Sequence, residues 1–204
     1  MVRAKIELLV ENAGESVTLQ GGSQKPLLGE QMKNLRIINN SGIAINEGKI
    51  VAVGKTREIK AKFKGEETVD AEGKVVMPGF VDPHTHLVFA GSREEEFAMR
   101  IQGSSYLEIS EEGGGILKTV RETRKAGRDE LFESCKKTLD TMIEHGTTTV
   151  EAKSGYGLTT ADEVKCLEVM KVLNEKHPMD IVPTFLGAHA IPLEYKNNAD
   201  DYVR

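Results

Sequence analysis

The chain contains no tryptophan, four tyrosines, six phenylalanines and only two cysteines among its 204 residues. Cys135 and Cys166 both fall in helix-like patterns, which excludes a disulfide framework and points to reduced, packed thiols in a cytoplasmic protein. No apolar run approaches the roughly 20 residues of a membrane span, so no membrane partner is expected. The opening Met1-Val2-Arg3-Ala4-Lys5-Ile6-Glu7 has no apolar stretch before its first acid, so no secretory signal is expected either. An excess of basic charge is also missing. Lys and Arg number 27 against 32 Asp and Glu, a net charge of −5, with a pI near 5.6. That balance leaves no footprint for nucleic acid. What is present is 39% hydrophobic and 29% charged residues, which suits a soluble globular protein of one domain or two small ones.

Residues 1 to about 75 read as β structure. Ile6, Leu8 and Val10 alternate imperfectly with Glu7, Leu9 and Glu11. The stretch from Gln24 to Asn34 is polar, holds Pro26 and Gly29, and reads as a loop. Two apolar runs flank Asn46-Glu47-Gly48 as the arms of a hairpin. A short charged helix is expected from Thr56 to Phe63, and a turn at Glu72-Gly73. No cluster of titratable groups here has a chemical logic, and packing is the expected role.

The rest of the chain is organised around Pro78-Gly79-Phe80-Val81-Asp82-Pro83-His84-Thr85-His86. Val75-Val76-Met77 and Phe80-Val81 read as one strand, apolar on both faces as in a buried parallel sheet. Alternate side chains of a strand share a face, so His84 and His86 project together. Two imidazoles on one face suit a metal such as zinc or iron. Glu94 to Gln102 then reads as helix. Ser110 to Gly115 reads as a mobile loop ending in three glycines, without the Lys-Ser/Thr of a phosphate-binding loop. Ile116 to Ala126 reads as a second helix. A clearer helix takes Asp129 as N-cap, turns Leu131, Phe132, Cys135, Leu139, Met142 and Ile143 to one face, and stops at Gly146. Thr147 to Lys153 is a β-branched strand. Thr160-Ala161-Asp162-Glu163 has capping-box form with Glu163 at N3. It opens a helix whose buried face is Val164, Leu167, Met170 and Leu173, and which ends at His177-Pro178. Asp180 to Gly187 is a third strand, with His189 just beyond it.

Strand–helix alternation of this kind means a parallel sheet with right-handed crossovers. Chemistry-bearing residues follow each strand: His84, His86 and Arg93, then Lys153 and Tyr156, then His189. A β/α barrel places its catalytic groups at those strand ends. His145 and His177 sit at helix ends and read as structural.

Pro-Gly-Phe-Val-Asp-Pro-His-Thr-His behind a small β-module resembles the metal-dependent amidohydrolase superfamily. More narrowly, His84-Thr85-His86-Leu87-Val88-Phe89-Ala90-Gly91-Ser92-Arg93 resembles one branch of it, which hydrolyses a cyclic amide carrying a propionate tail. So do Gly113-Gly114-Gly115-Ile116, Glu151-Ala152-Lys153-Ser154-Gly155-Tyr156-Gly157-Leu158 and Thr184-Phe185-Leu186-Gly187-Ala188-His189. The resemblance covers essentially the whole chain, but members of that branch run on well past its length. It implies an α/β fold: a partial β-sandwich module over 1–75, then the first strand–helix units of a (β/α)8 (TIM) barrel over 76–204, left incomplete. It also implies one divalent or trivalent metal, zinc or iron, held by His84 and His86 with further ligands from later strands. Arg93 would clamp the substrate carboxylate. Tyr156, His189 and, as a weaker match, Tyr106 would contact substrate, with His189 also catalytic. Lys153 reads as a strand residue that supports the site and not as a ligand. The partners implied are a small-molecule substrate and, at full length, a second copy in a homodimer. Another metal-dependent amidohydrolase, acting on a different cyclic amide or an aminated purine, stays open as an alternative. So does a non-catalytic truncated fragment.

Overall fold

The computed structural model describes residues 2–19 and 25–204, so Gln24 of the expected loop lies outside the described residues. The chain divides into two compact units, Met1–Pro78 and Gly79–Arg204.

The first unit is a five-stranded sheet of β1 (Ala4–Val17), β2 (Ile37–Asn46), β3 (Lys49–Lys55), β4 (Phe63–Asp70) and β5 (Val75–Val76). The order is β3-β2-β1-β4, with β5 also paired to β1. β2 runs antiparallel to β1 and β3, while β4 and β5 run parallel to β1. The β2–β3 hairpin falls where the sequence suggests it. Its turn residues Glu47 and Gly48 have φ of 51° and 66°, the positive pair that matches strand twist in a two-residue hairpin. Helix α1 (Thr56–Lys62) carries the chain from β3 to β4 and buries Ile59 against Ile6, Leu9 and Ala44. The expected Ile6–Leu8–Val10 face is therefore wrong: Leu9 is buried, and Leu8 and Val10 are only half-buried. An extra β1 residue between Val10 and Ala13 shifts the register, with Asn12 at φ 57°. Such a bulge breaks simple alternation. Of the expected loop, Gly29–Lys33 forms a short 3-10 helix.

The second unit holds a parallel sheet of β6 (Phe80–Thr85), β7 (Thr147–Lys153) and β8 (Asp180–Thr184), in the order β6-β7-β8. Its helices are α2 (Glu94–Ile101), α3 (Tyr106–Glu111), α4 (Ile116–Lys125), α5 (Arg128–Glu144), α6 (Thr160–Lys176) and α7 (Ala199–Val203). Helices α5 and α6 supply Leu131, Cys135, Leu139, Cys166, Met170 and Leu173 to a core with Val150 and Ala152 of β7 and Ile181 of β8.

Several expectations need correction. Val75–Val76 belongs to the first sheet, and β6 starts anew at Phe80 after Pro78-Gly79. Phe80 and Val81 are 55% and 64% exposed, because the helices pack on one face of the sheet only and β6 is its edge. Ser110 and Glu111 are helical, since Ser105 and Glu108 form a capping box that starts α3. Gly127, not Asp129, is the N-cap of α5, and Asp129 lies in the first turn, where a carboxylate favours the dipole. Finally, Thr159 caps α6 by accepting from the Asp162 N–H at 3.1 Å. Glu163 thus sits one place deeper than a capping box requires. The buried face of α6 is Cys166, Val169, Met170 and Leu173, while Val164 is 45% exposed. Among the described residues, no helix is long and apolar enough to cross a membrane.

The two thiols test this core. Burial pushes Cys135 up to about 11 and Cys166 up to about 12. Both are expected to resist a disulfide reagent at mildly alkaline pH in the native chain and to react after unfolding. Prompt native reaction of either would contradict the packing. Leu139→Ala, at a fully buried position, is expected to destabilise the unit by about 2–5 kcal/mol in urea titration.

Candidate active site

Local chemistry brings β6 into place. A Cβ on Gly79 would lie 2.2 Å from Thr148 Oγ1, so only glycine lets the chain pass β7 here. Further on, the Asp82 carboxylate accepts the His84 N–H at 3.1 Å, and the Thr85 hydroxyl donates to the Glu151 carbonyl at 2.7 Å. The register slips between Asp82 and Thr85. His84 and His86 are therefore not held by strict strand alternation, yet their ring centroids lie 6.0 Å apart.

His86 is the hub. Its ring stacks on Tyr156 at 4.6 Å and lies 4.6 Å from His189. Tyr156 is 5.9 Å from His189 and meets Phe89 edge-on at 6.2 Å. Burial, then the neighbouring His189 and His84, pull the His86 imidazole below its usual value. Its Nδ1 is buried with no hydrogen-bond partner, an unusual state for a polar atom in a folded interior. The Tyr156 hydroxyl is pushed up by burial, with Arg93 opposing. His84, Arg93 and His189 are exposed.

Arg93 is not the free fork that the sequence suggests. Its Nε and Nη2 both engage Oε2 of Glu96, at 2.7 and 2.6 Å, and Glu96 Oε1 accepts the Gly115 N–H at 3.0 Å. One buried carboxylate thus orients the guanidinium and pins the glycine triplet. A Cβ on Gly114 would lie 2.7 Å from Ile109 Cγ2 and 3.0 Å from Glu96 Oε1, which explains a glycine there. Tyr106, at the start of α3, is 54% exposed, and its hydroxyl would lie 3.3 Å from a Cβ on Gly115. His86, Phe89, Ser92, Arg93 and Tyr156 line an open cleft of about 430 Å³, a size that suits a small molecule. Of the residues expected at the site, His84, His86, Tyr156 and His189 converge, and Arg93 closes the cleft beside them.

Lys153 pairs with Glu151, which also accepts from the Thr184 hydroxyl at 2.8 Å. His145 Nδ1 lies 2.8 Å from the Thr141 carbonyl, and His177 Nε2 lies 3.3 Å from Asp140. These two read as structural, as their places at helix ends suggest. Sequence reasoning missed Glu96, Ser154 and Glu163. Ser154 Oγ accepts from the Leu186 N–H at 3.0 Å and so ties the Tyr156 loop to the His189 loop. The available signal was an acid three residues after Arg93, and an acid one place too late for a capping box.

Among the described residues, no group of three or more His, Cys, Asp or Glu side chains converges to hold a metal ion. The donor set in hand is two imidazoles.

Residues 67–105 match the amidohydrolase family. The fold agrees: an adenosine deaminase from Xanthomonas campestris with bound zinc superposes with a TM-score of 0.56 at 16% identity, over 90% of this chain and 43% of that one. A triazine hydrolase variant does so with a TM-score of 0.56 at 19% identity, over 87% and 35%. The chain is similar to the amidohydrolase family over residues 67–105 and to amidohydrolase structures in fold. It is 52% identical over 201 residues to the imidazolonepropionase of Geobacillus sp. (strain WCH70), covering 97% of this chain and 47% of that protein. It is 50% identical over 198 residues to that of Brevibacillus brevis, covering 95% and 47%. The chain spans about half the length of the curated relatives it matches.

Gly155 gives a direct test of the geometry. Its φ is +119°, and a Cβ there would lie 2.8 Å from His189 Cβ and 3.0 Å from the Leu186 carbonyl oxygen. Gly155→Ala is expected to cost about 1–3 kcal/mol and to displace the His189 loop. Unchanged stability together with an unmoved His189 in a crystal structure of the variant would refute this placement.

Proposed function

We propose that this chain is the N-terminal half of an imidazolonepropionase, which opens 4-imidazolone-5-propanoate to N-formimidoyl-L-glutamate in histidine degradation. The observation that carries the reading is the convergence of the His84, His86, Tyr156 and His189 rings beside Arg93. The identity of about half its residues to imidazolonepropionases supports it.

His84 and His86 are the residues that would hold a divalent metal ion, zinc or iron. The unpartnered Nδ1 of His86 supports this, since a buried imidazole nitrogen without a hydrogen bond suits a cation better than an apolar wall. Two imidazoles make half of a tetrahedral set, and the missing ligands belong to barrel strands beyond Arg204. Such an ion, when bound, supplies a water acidified to near neutrality as nucleophile. The chain's own residues do the rest. Arg93 holds the propionate carboxylate through the guanidinium edge that Glu96 leaves free. His189 donates a hydrogen bond to the ring carbonyl and stabilises the oxyanion as the amide opens. Tyr156 packs against the ring and, with Phe89, narrows the water's approach. Tyr106 borders the carboxylate end.

In this reading the first unit is part of a β-sandwich completed by later residues, and β6, β7 and β8 are the first strands of an eight-stranded barrel. The partner is a small molecule, the compartment is the cytoplasm, and the full-length protein is a homodimer.

The test is turnover of 4-imidazolone-5-propanoate by the full-length protein and its variants. Loss of a charge-assisted contact costs about 1.5–3 kcal/mol, so Arg93→Ala should lose roughly ten- to a hundredfold in kcat/KM. Arg93→Lys keeps the charge without the fork and should recover only part of that. Metal content should stay normal in both. On an analogue lacking the carboxylate, wild type and Arg93→Ala should perform about equally poorly. Equal damage on both substrates would make Arg93 structural and remove the main chemical support for this substrate. His84→Ala and His86→Ala should each lose metal and turnover together. Stoichiometric metal in either would contradict the ligand assignment.

A further inference from the structure

We infer that Glu163 is the positioning residue of Tyr156, acting through the backbone of the loop that carries it. The inference rests on the reading of Tyr156 as a substrate contact and deepens it. The loop after β7 has no strand or helix to satisfy its backbone. Glu163 does so instead, from the first turn of α6, where it is 3% exposed. One carboxylate oxygen accepts the Gly155 N–H at 2.9 Å, and the other accepts the N–H groups of Gly157 and Leu158 at 2.8 Å each. From the opposite side, Arg124 donates to the carbonyls of Gly157 and Leu158, at 2.7 and 3.1 Å. The loop's amides on both flanks of Tyr156, and its carbonyls on the C-terminal flank, are thus captured by two side chains.

The backbone needs that hold. Gly155 and Leu158 have φ of 119° and 54°, and a left-handed leucine persists only where its surroundings impose it. A Cβ on Gly157 would lie 2.6 Å from the Glu163 nitrogen, so the loop runs directly against the helix that Glu163 belongs to. The chemistry requires a carboxylate. Two acceptor oxygens serve three donors, whereas a glutamine would offer one oxygen and turn an NH2 group on an N–H. The ring that this loop presents stacks on His86, so release of the loop moves the stacking partner and not the metal-side residue itself.

A double-mutant cycle in the full-length protein, with 4-imidazolone-5-propanoate as substrate, tests the inference. Glu163→Gln should lower kcat/KM about tenfold, mainly through KM, with metal content unchanged. In a Tyr156→Ala background, Glu163→Gln should cost nothing further, because the residue it positions is gone. Amide exchange at Gly155, Gly157 and Leu158 should accelerate, and the Tyr156 ring resonances should shift. Wild-type exchange and ring shifts in Glu163→Gln would overturn the inference, as would a kinetic loss fully additive with Tyr156→Ala. If Tyr156→Ala has normal kinetics while exchange and ring shift still respond to Glu163→Gln, the positioning stands and Tyr156 is not a substrate contact. If Glu163→Gln does not fold, Arg124→Gln enters the same cycle from the carbonyl side. Non-additivity there supports the inference, and additivity overturns it.

Discussion

Parallel pairing of β6, β7 and β8 is the constraint on which the second unit depends. Because Thr85 sits opposite Ala152 and Lys153 opposite Thr184, all three strands finish at the same level. Whatever follows each strand then emerges at one end of the sheet. Three segments distant in sequence, around 84–93, 154–158 and 185–189, become neighbours with no direct bond required between their side chains. The same direction forces each return crossing to be helical, and α5 and α6 bury one face of the sheet under leucine, valine and thiol packing. Strand direction thus fixes both where the core lies and where the chemistry gathers.

The loops at that end are held by buried polar groups more than by apolar contact. Glu96 couples α2 to the glycine triplet, Glu163 couples α6 to the Tyr156 loop, and Ser154 couples that loop to the chain before His189. Each carboxylate is buried and fully engaged, the condition under which such groups are tolerated inside a protein. A cleft with exposed rings can be accurate only if its backbone is fixed in this way, since loops have no ladder of their own.

Much of this was legible in the sequence. Helical spacing located α5, β-branched residues located β7, and the strand-end pattern brought His84, His86, Tyr156 and His189 to one place. The failures have physical causes. A run of apolar residues across Pro78-Gly79 hid the break between two sheets, because hydrophobicity does not encode which sheet a strand joins. The capping pattern at Thr160 was off by one because Thr159 competes for the same role, and Glu163 was free to serve the loop. Arg93 read as an open fork because its partner, Glu96, looked like one acid in an exposed helix start. Long-range hydrogen bonds to loop backbone leave almost no local pattern.

We propose that these 204 residues carry one half of a metal site, with the remaining ligands downstream. The most direct test is bound metal and steady-state hydrolysis of 4-imidazolone-5-propanoate, measured in parallel on the purified 204-residue chain and on the full-length protein. Stoichiometric metal and turnover are expected at full length, and weak metal binding with no turnover in the 204-residue chain. Sustained hydrolysis by the short chain, free of full-length protein, would contradict it, and so would an inert full-length protein loaded with metal.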